Sequence, residues 1–244
     1  MLVRIGERFM VRLEDDLAAS FRQGDHLAKY DPALPANGIL FSGQTGRLPE
    51  LGGVCFALSA MWVVRHAHHR AEGPAGRAAY LARESSIRRA WDIHRRAAGI
   101  GCRNNDATAP APQAFHAWEH CSNWALEPLG LTARATALGR ISRSGQTFAA
   151  EVATLHANLA GAHRYHLITI CGSSPTRTHA VASYMAGGAK GTAQLHLFDP
   201  NWGEFKLNIR HFTTFMPGLL GWYDAHGEFG RISELRVDSV AQRG

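Results

Sequence analysis

Three residues of this chain stand in settings from which nucleophilic catalysis could be built: Cys55, His179 and Asp199. Cys55 follows Gly52-Gly53-Val54 and opens the stretch VCFALSAMWVVRHAHH, in which Cys55, Leu58, Trp62, Val63 and His66 keep close to the i, i+3, i+4, i+7 rhythm of a helix. A sulfur in a first helical turn meets amide donors with no intrahelical acceptor and the positive end of the macrodipole. Both favour the thiolate, which is the attacking species. The two glycines let the backbone turn sharply and a substrate chain come close. The bland alternative is a cysteine serving as a small buried hydrophobe, and Cys102, Cys121 and Cys171 take that reading. No CxxC pair occurs, and a chain of 244 residues has no need of disulfide staples, so all four are expected as reduced thiols.

His179 heads the segment THAVASYM, and Asp199 ends the next one, QLHLFD, before Pro200-Asn201-Trp202-Gly203. A symmetric hairpin centred on Ala189 would set His179 directly opposite Asp199, where side chains are about 4.5–5.5 Å apart at Cβ. A slip of one residue would turn the two to opposite faces. A carboxylate so placed orients the imidazole and supports its protonated form, completing a set of nucleophile, base and orienter. Taken singly, the histidine reads as a strand end and the Asp-Pro as a turn start; the set of three is what points to chemistry.

The elements that must hold these residues fall into two parts. Helical patterns are expected over Val54 to His69, about Arg77 to Ala98, around Gln113 to Leu126, and from Ala149 to Leu159. Short apolar runs separated by glycine follow from Tyr165: YHLITICG, HAVASYMAGG and AQLHLFDPNWGEFKLNI. Helices first and strands later, without βαβ alternation, predict an α+β fold with an antiparallel sheet. No repeat or long linker divides the chain, so residues 1–244 read as one domain of two lobes, a helical N-terminal lobe and a β-sheet C-terminal lobe, with residues 1–53 as a segment at its periphery.

The blocks GGVCFALSAMWV, THAVASYM and HLFDPNWGEFKL resemble, in that order, the Cys, His and Asp blocks of the YopT-type cysteine proteases, bacterial effectors related to papain. The likeness runs from Cys55 to about Phe205 and is tight in these three blocks, FDPNWGEF being the most specific. It implies a papain-like fold, with Cys55 as nucleophile, His179 as general base and then acid, and Asp199 as orienting carboxylate. Papain relatives add a Gln or Asn side chain upstream of the cysteine to the oxyanion hole. Pro49 lies six residues upstream and cannot serve, and of the upstream amides Asn37 and Gln44, Gln44 between Gly43 and Gly46 is the choice. The resemblance further implies a thiol endopeptidase without cofactor. It would be a virulence effector secreted by a specialised system into the host cell cytoplasm, cleaving a host protein and in some relatives processing itself. The Met1-Leu2 start lacks the Met-Gly of a myristoylated form, while an internal cleavage exposing a glycine stays open.

Other classes are weighed on their own residues. The same Cys, His, Asp order serves transglutaminases and acyltransferases, and an inactive binding module on this fold is a further alternative. His116 and His120 share a helical face beside Cys121, and with Cys102 they form a minor zinc candidate that lacks the HExxH order. A formal charge of +6 is spread along the chain as arginine; Arg88, Arg89, Arg95 and Arg96 read as a solvated helix face, so no nucleic-acid partner is expected. No run approaches the roughly 18 apolar residues of a membrane span, and no export signal with a cleavage site opens the sequence. His66, His68 and His69 are expected to complement the helix C-terminus. Trp202 either shields the His179 and Asp199 pair from water or packs beneath the sheet. A working nucleophile also requires the Cys55 sulfur to be open to solvent and close to the His179 ring.

Overall fold

The computed structural model of the chain describes residues 15–30, 54–104, 122–123, 126–140, 165–172, 178–187, 193–225 and 232–242. Among these residues seven strands make one sheet: β1 (Leu17–Ser20), β2 (Leu131–Arg140), β3 (Tyr165–Gly172), β4 (Thr178–Met185), β5 (Gln194–Asp199), β6 (Gly203–Asn208) and β7 (Ile232–Gln242). Their order across the sheet is β1-β6-β5-β4-β3-β7-β2, and every pairing is antiparallel. Five helices accompany it among the described residues: α1 (Gln23–Tyr30), α2 (Cys55–His68), α3 (Pro74–Leu81), α4 (Glu84–Asn104) and α5 (Phe212–Ala225).

Both faces of the sheet are covered, which explains why its central strands read as unbroken apolar runs. On one face Ala180, Ala182, Tyr184 and Phe198 pack with Leu58, Trp62 and Ile87 from the helices; on the other Val181, Leu195, Leu197 and Phe205 pack with Phe212, Met216 and Leu219 of α5. Helix α2 is apolar on nearly every side, with ten buried residues, as a helix wedged between a sheet and other helices must be. Ser59 fixes its position by donating to the Ala180 carbonyl of β4 at 2.9 Å. Ser59 is one turn from Cys55, and Ala180 adjoins His179, so this single bond sets the head of α2 against the head of β4.

The helical stretch expected from Arg77 to Ala98 is two helices, α3 and α4, parted at Ala82 and Arg83. The Ser86 hydroxyl bonds the Tyr80 carbonyl across the break, the local competition with the backbone for which serine is known. Of the N-terminal segment, residues 15–30 are described, and they add an edge strand and a helix to the sheet. β1 pairs with β6, with Ser20 opposite Gly203, and α1 is tied to the Asp199 turn by Gln23 N–H donating to the Pro200 carbonyl at 2.7 Å. Gly203 has φ +124, and a Cβ there would overlap the Ala19 carbonyl, so the glycine of FDPNWGEF is dictated by strand packing. The helices expected at Ala149 to Leu159 and, for most of its length, at Gln113 to Leu126 lie outside the described residues.

Glu204, from the same block, has a structural place. Buried under α2 and α3, it accepts from Trp62 Nε1 at 2.9 Å and forms a paired contact with Arg77, at 2.8 Å from Nε and 2.6 Å from Nη2. His196 Nδ1 lies 3.3 Å from the same carboxylate. Burial opposes its charge, but these hydrogen bonds, led by Arg77, hold the carboxyl down at about 2. His66 is also buried, 3.0 Å from the Tyr165 hydroxyl, and burial lowers it to about 3. A neutral ring brings no charge to the helix dipole, so His66 is a core residue and not the charged cap that its position suggests. Arg88 pairs with Glu84 one turn away on an exposed face, as expected for a solvated surface.

Candidate active site

Cys55, His179 and Asp199 come together at one end of the sheet. Cys55 is the first residue of α2, Val54 supplies no side-chain cap, and the first intrahelical bond runs from Leu58 N–H to the Val54 carbonyl at 2.9 Å. The amides of Cys55, Phe56 and Ala57 therefore point out of the helix start, the arrangement that favours an anion. The Cys55 side chain is hydrogen-bonded to the His179 ring. His179 Nε2 lies 2.8 Å from Asp199 Oδ1. His179 and Asp199 are 2% and 0% exposed, so their interaction is little screened by water.

The strand register differs from the symmetric hairpin. Ala182 faces Phe198 and Met185 faces Leu195, a pairing centred on residue 190, which continues to set Val181 opposite Asp199. His179 and Asp199 are thus diagonal neighbours two residues out of direct opposition. A two-residue offset keeps both on the same face, and the length of the imidazole spans the diagonal. The sheet pleat aims both toward α5.

Burial would lower the His179 pKa, but it is outweighed by the Asp199 carboxylate, through charge and hydrogen bond, and by Cys55; together they push it up to about 10. The ring is an imidazolium at neutral pH, the partner that a thiolate requires. The Asp199 carboxylate is itself built into the turn after β5: Asn201 N–H donates to Oδ1 at 2.8 Å, and Trp202 N–H closes the turn on the Asp199 carbonyl at 3.0 Å. Pro200 at the second turn position presets the bend.

Two residues of the cluster carry no sequence signal. The Tyr223 hydroxyl of α5 lies within hydrogen-bond distance of both Asp199 oxygens and of His179 Nε2. Gln23 Nε2 donates to Asn201 Oδ1 at 2.6 Å. Trp202 packs edge-to-face on Trp222 of α5, ring centroids 4.9 Å apart, against the core beneath the sheet. Gln44 lies outside the described residues, as do His116, His120 and Cys121 and the side chain of Cys102. Among the described residues no group of three His, Cys, Asp or Glu side chains is placed to hold a metal ion. Cys55 is only 2% exposed, so the requirement drawn from the sequence, a sulfur open to solvent, is not met in this structure. The α2 head is packed into the core that anchors it.

The antiparallel sheet, the helix packed on it and the cysteine at that helix's head make up a papain-like α+β fold. The chain belongs to the peptidase family described as Yersinia/Haemophilus virulence surface antigen, Peptidase_C58, whose model matches residues 7–239. Among solved structures, the avirulence protein AvrPphB of Pseudomonas has the same fold, with a TM-score of 0.62 and 19% identity over 94% of this chain and 99% of that one. PatoxP, a cysteine protease-like domain of the Photorhabdus asymbiotica toxin PaTox, aligns with 98% of this chain and 59% of its own at 10% identity and a TM-score of 0.38. Among curated proteins none shows significant similarity to the chain. No helix of the described residues is long and apolar enough to cross a membrane.

Proposed function

We propose that the chain is a thiol endopeptidase with Cys55 as nucleophile, His179 as proton carrier and Asp199 as orienting carboxylate. The observation that carries this reading is the continuous hydrogen-bonded run from the Cys55 thiol through the imidazole to the Asp199 carboxylate, in a chain of peptidase family and fold. With Nε2 committed to Asp199, Nδ1 is the nitrogen left to exchange a proton with the substrate. The thiolate adds to the peptide carbonyl and the amine leaves with the Nδ1 proton. Water attacks the thioester, returning a proton to Nδ1, and the thiolate is released. The Cys55 backbone N–H, pointing out of α2, supplies one oxyanion donor, and Gln44 is the proposed side-chain donor. No cofactor takes part in these steps.

The reading extends to biology through the relatives. The family description names a virulence surface antigen, and the similar structure is an avirulence protein. We infer an effector secreted into a host cell and acting there on a host protein. The experiment is N-terminal peptide mapping of a host-cell lysate treated with the purified chain. New N-termini are expected with the wild type and none with Cys55→Ala. Products joined to an added amine, without free new termini, would instead assign an acyl transferase.

A further inference from the structure

Helix α5 brings one polar group to the cluster, the phenol of Tyr223, whose residue is 0% exposed. Its Oη lies 2.8 Å from Asp199 Oδ2, 3.0 Å from Oδ1 and 3.0 Å from His179 Nε2, and it receives Asn201 Nδ2–H at 3.2 Å. The two carboxylate oxygens are served differently. Oδ1 takes the His179 Nε2–H and the Asn201 backbone N–H, each at 2.8 Å. Among the described residues, Oδ2 has Tyr223 as its donor. A phenol has one proton, and the shorter contact assigns it to Oδ2. Its oxygen then offers lone pairs to Asn201 Nδ2–H and to the Nε2–H edge of the imidazole.

We propose that Tyr223 is a positioning residue that locks the rotation of the Asp199 carboxylate, so that Oδ1 stays on His179 Nε2 while the proton of Nδ1 comes and goes. The inference rests on the protease reading above. The Asn201 amide and His179 hold Oδ1, and a donor on Oδ2 from a different element adds the second point that fixes the rotation of the carboxylate about its last bond. With an oxygen on either side, the Nε2–H bond is held in both charge states of the ring, and the exchangeable proton is confined to Nδ1. Asn201 is held in turn by Gln23 of α1 at 2.6 Å, so the lock is anchored on a third element. Among the described residues the titratable groups facing His179 include Cys55 from α2, Asp199 from β5 and Tyr223 from α5; β3 presents Ile170 opposite it.

The test is the pH dependence of two signals, the ultraviolet absorbance of the Cys55 thiolate, with Cys55→Ala subtracted, and the NMR titration of the His179 ring. Both are recorded for the wild type, Tyr223→Phe, Asp199→Asn and the double variant, each checked for a cooperative thermal transition. In Tyr223→Phe the thiolate should need a higher pH to form and the ring should lose its proton at a lower pH, each midpoint moving by about one pH unit, a tenfold change in equilibrium. Adding Tyr223→Phe to Asp199→Asn should move neither midpoint further. Unmoved midpoints in Tyr223→Phe, even with reduced turnover, would overturn the proposal, as would full shifts that persist in the Asp199→Asn background. Should the wild type form no thiolate–imidazolium pair, the protease reading itself fails, a result distinct from either.

Discussion

At the scale of single residues, His179 is held charged in a place where burial favours the neutral ring, because Asp199 and Cys55 compensate its desolvation. The sign of the resulting pH dependence follows. Its folded pKa, about 10, lies above the unfolded 6.5, so its stabilising contribution is complete below 6.5 and disappears as pH rises through about 10. Chemical denaturation between these limits should show unfolding free energy falling with pH in the wild type, and His179→Gln should flatten the decline. Activity is affected separately: His179→Ala removes the proposed proton carrier and should lower kcat/KM by about 10²–10⁴-fold in a peptide assay, the range for lost acid–base catalysis. The sequence conveys the three proposed catalytic residues because each sits in a block with its own local reason, a helix start, a strand head and an Asp-Pro turn. Tyr223 is not readable in this way, since only the crossing of α5 over the sheet brings its hydroxyl to the carboxylate.

Elements place the cluster through a few bonds that can be broken one at a time. Ser59→Ala removes the hydroxyl that ties α2 to the Ala180 carbonyl and should cost about 1 kcal/mol in a denaturant titration, the usual net worth of such a bond. The kcat should fall with it, because the same contact sets Cys55 against His179. Arg77→Met should be far more damaging, destabilising by about 3–5 kcal/mol, because it leaves Glu204 charged and buried beneath α2 and α3 without its cation. The pair Arg77→Met with Glu204→Leu should recover much of the loss. At this scale the sequence is partly legible. The apolar rhythm of α2 and the glycine-bounded runs of β3 to β6 are visible, but the register between β4 and β5 is not. A slip of two residues leaves every apolar side chain on its own face, so periodicity cannot distinguish the hairpin centred on 189 from the observed one. Helix α5 is hidden by Pro217, Gly218 and Gly221, which read as breakers; burial of the one face that carries Phe212, Met216, Leu219 and Tyr223 at i, i+4, i+7 and i+11 holds it helical nonetheless. The bulge in β2 against β7, between Ala135 and Ala137, breaks the alternation by which a strand is recognised.

For the whole molecule, acid is the condition that opposes the fold. His66 and His94 are buried, and burial lowers them to about 3 and about 4, so unfolding below pH 6.5 takes up protons that the native rings exclude. Their stabilising contribution is present above 6.5 and is lost as pH falls through the folded values; each group adds up to about 1.4 kcal/mol of lost stability per pH unit. Glu204 joins below its ordinary 4.5 and is lost through about 2, whereas His179, protonated in both states there, adds nothing. Thermal melting should therefore move to lower temperature from pH 6.5 to 4, and His94→Leu should reduce the slope. The account as a whole stands on Cys55 being the reactive sulfur in spite of its burial, and a small thiol-directed electrophile with peptide mapping tests that most directly. Cys55 should be labelled in preference to the more exposed Cys171, and His179→Ala should abolish the preference. Labelling of Cys171 with Cys55 left unmodified under native conditions would contradict the account.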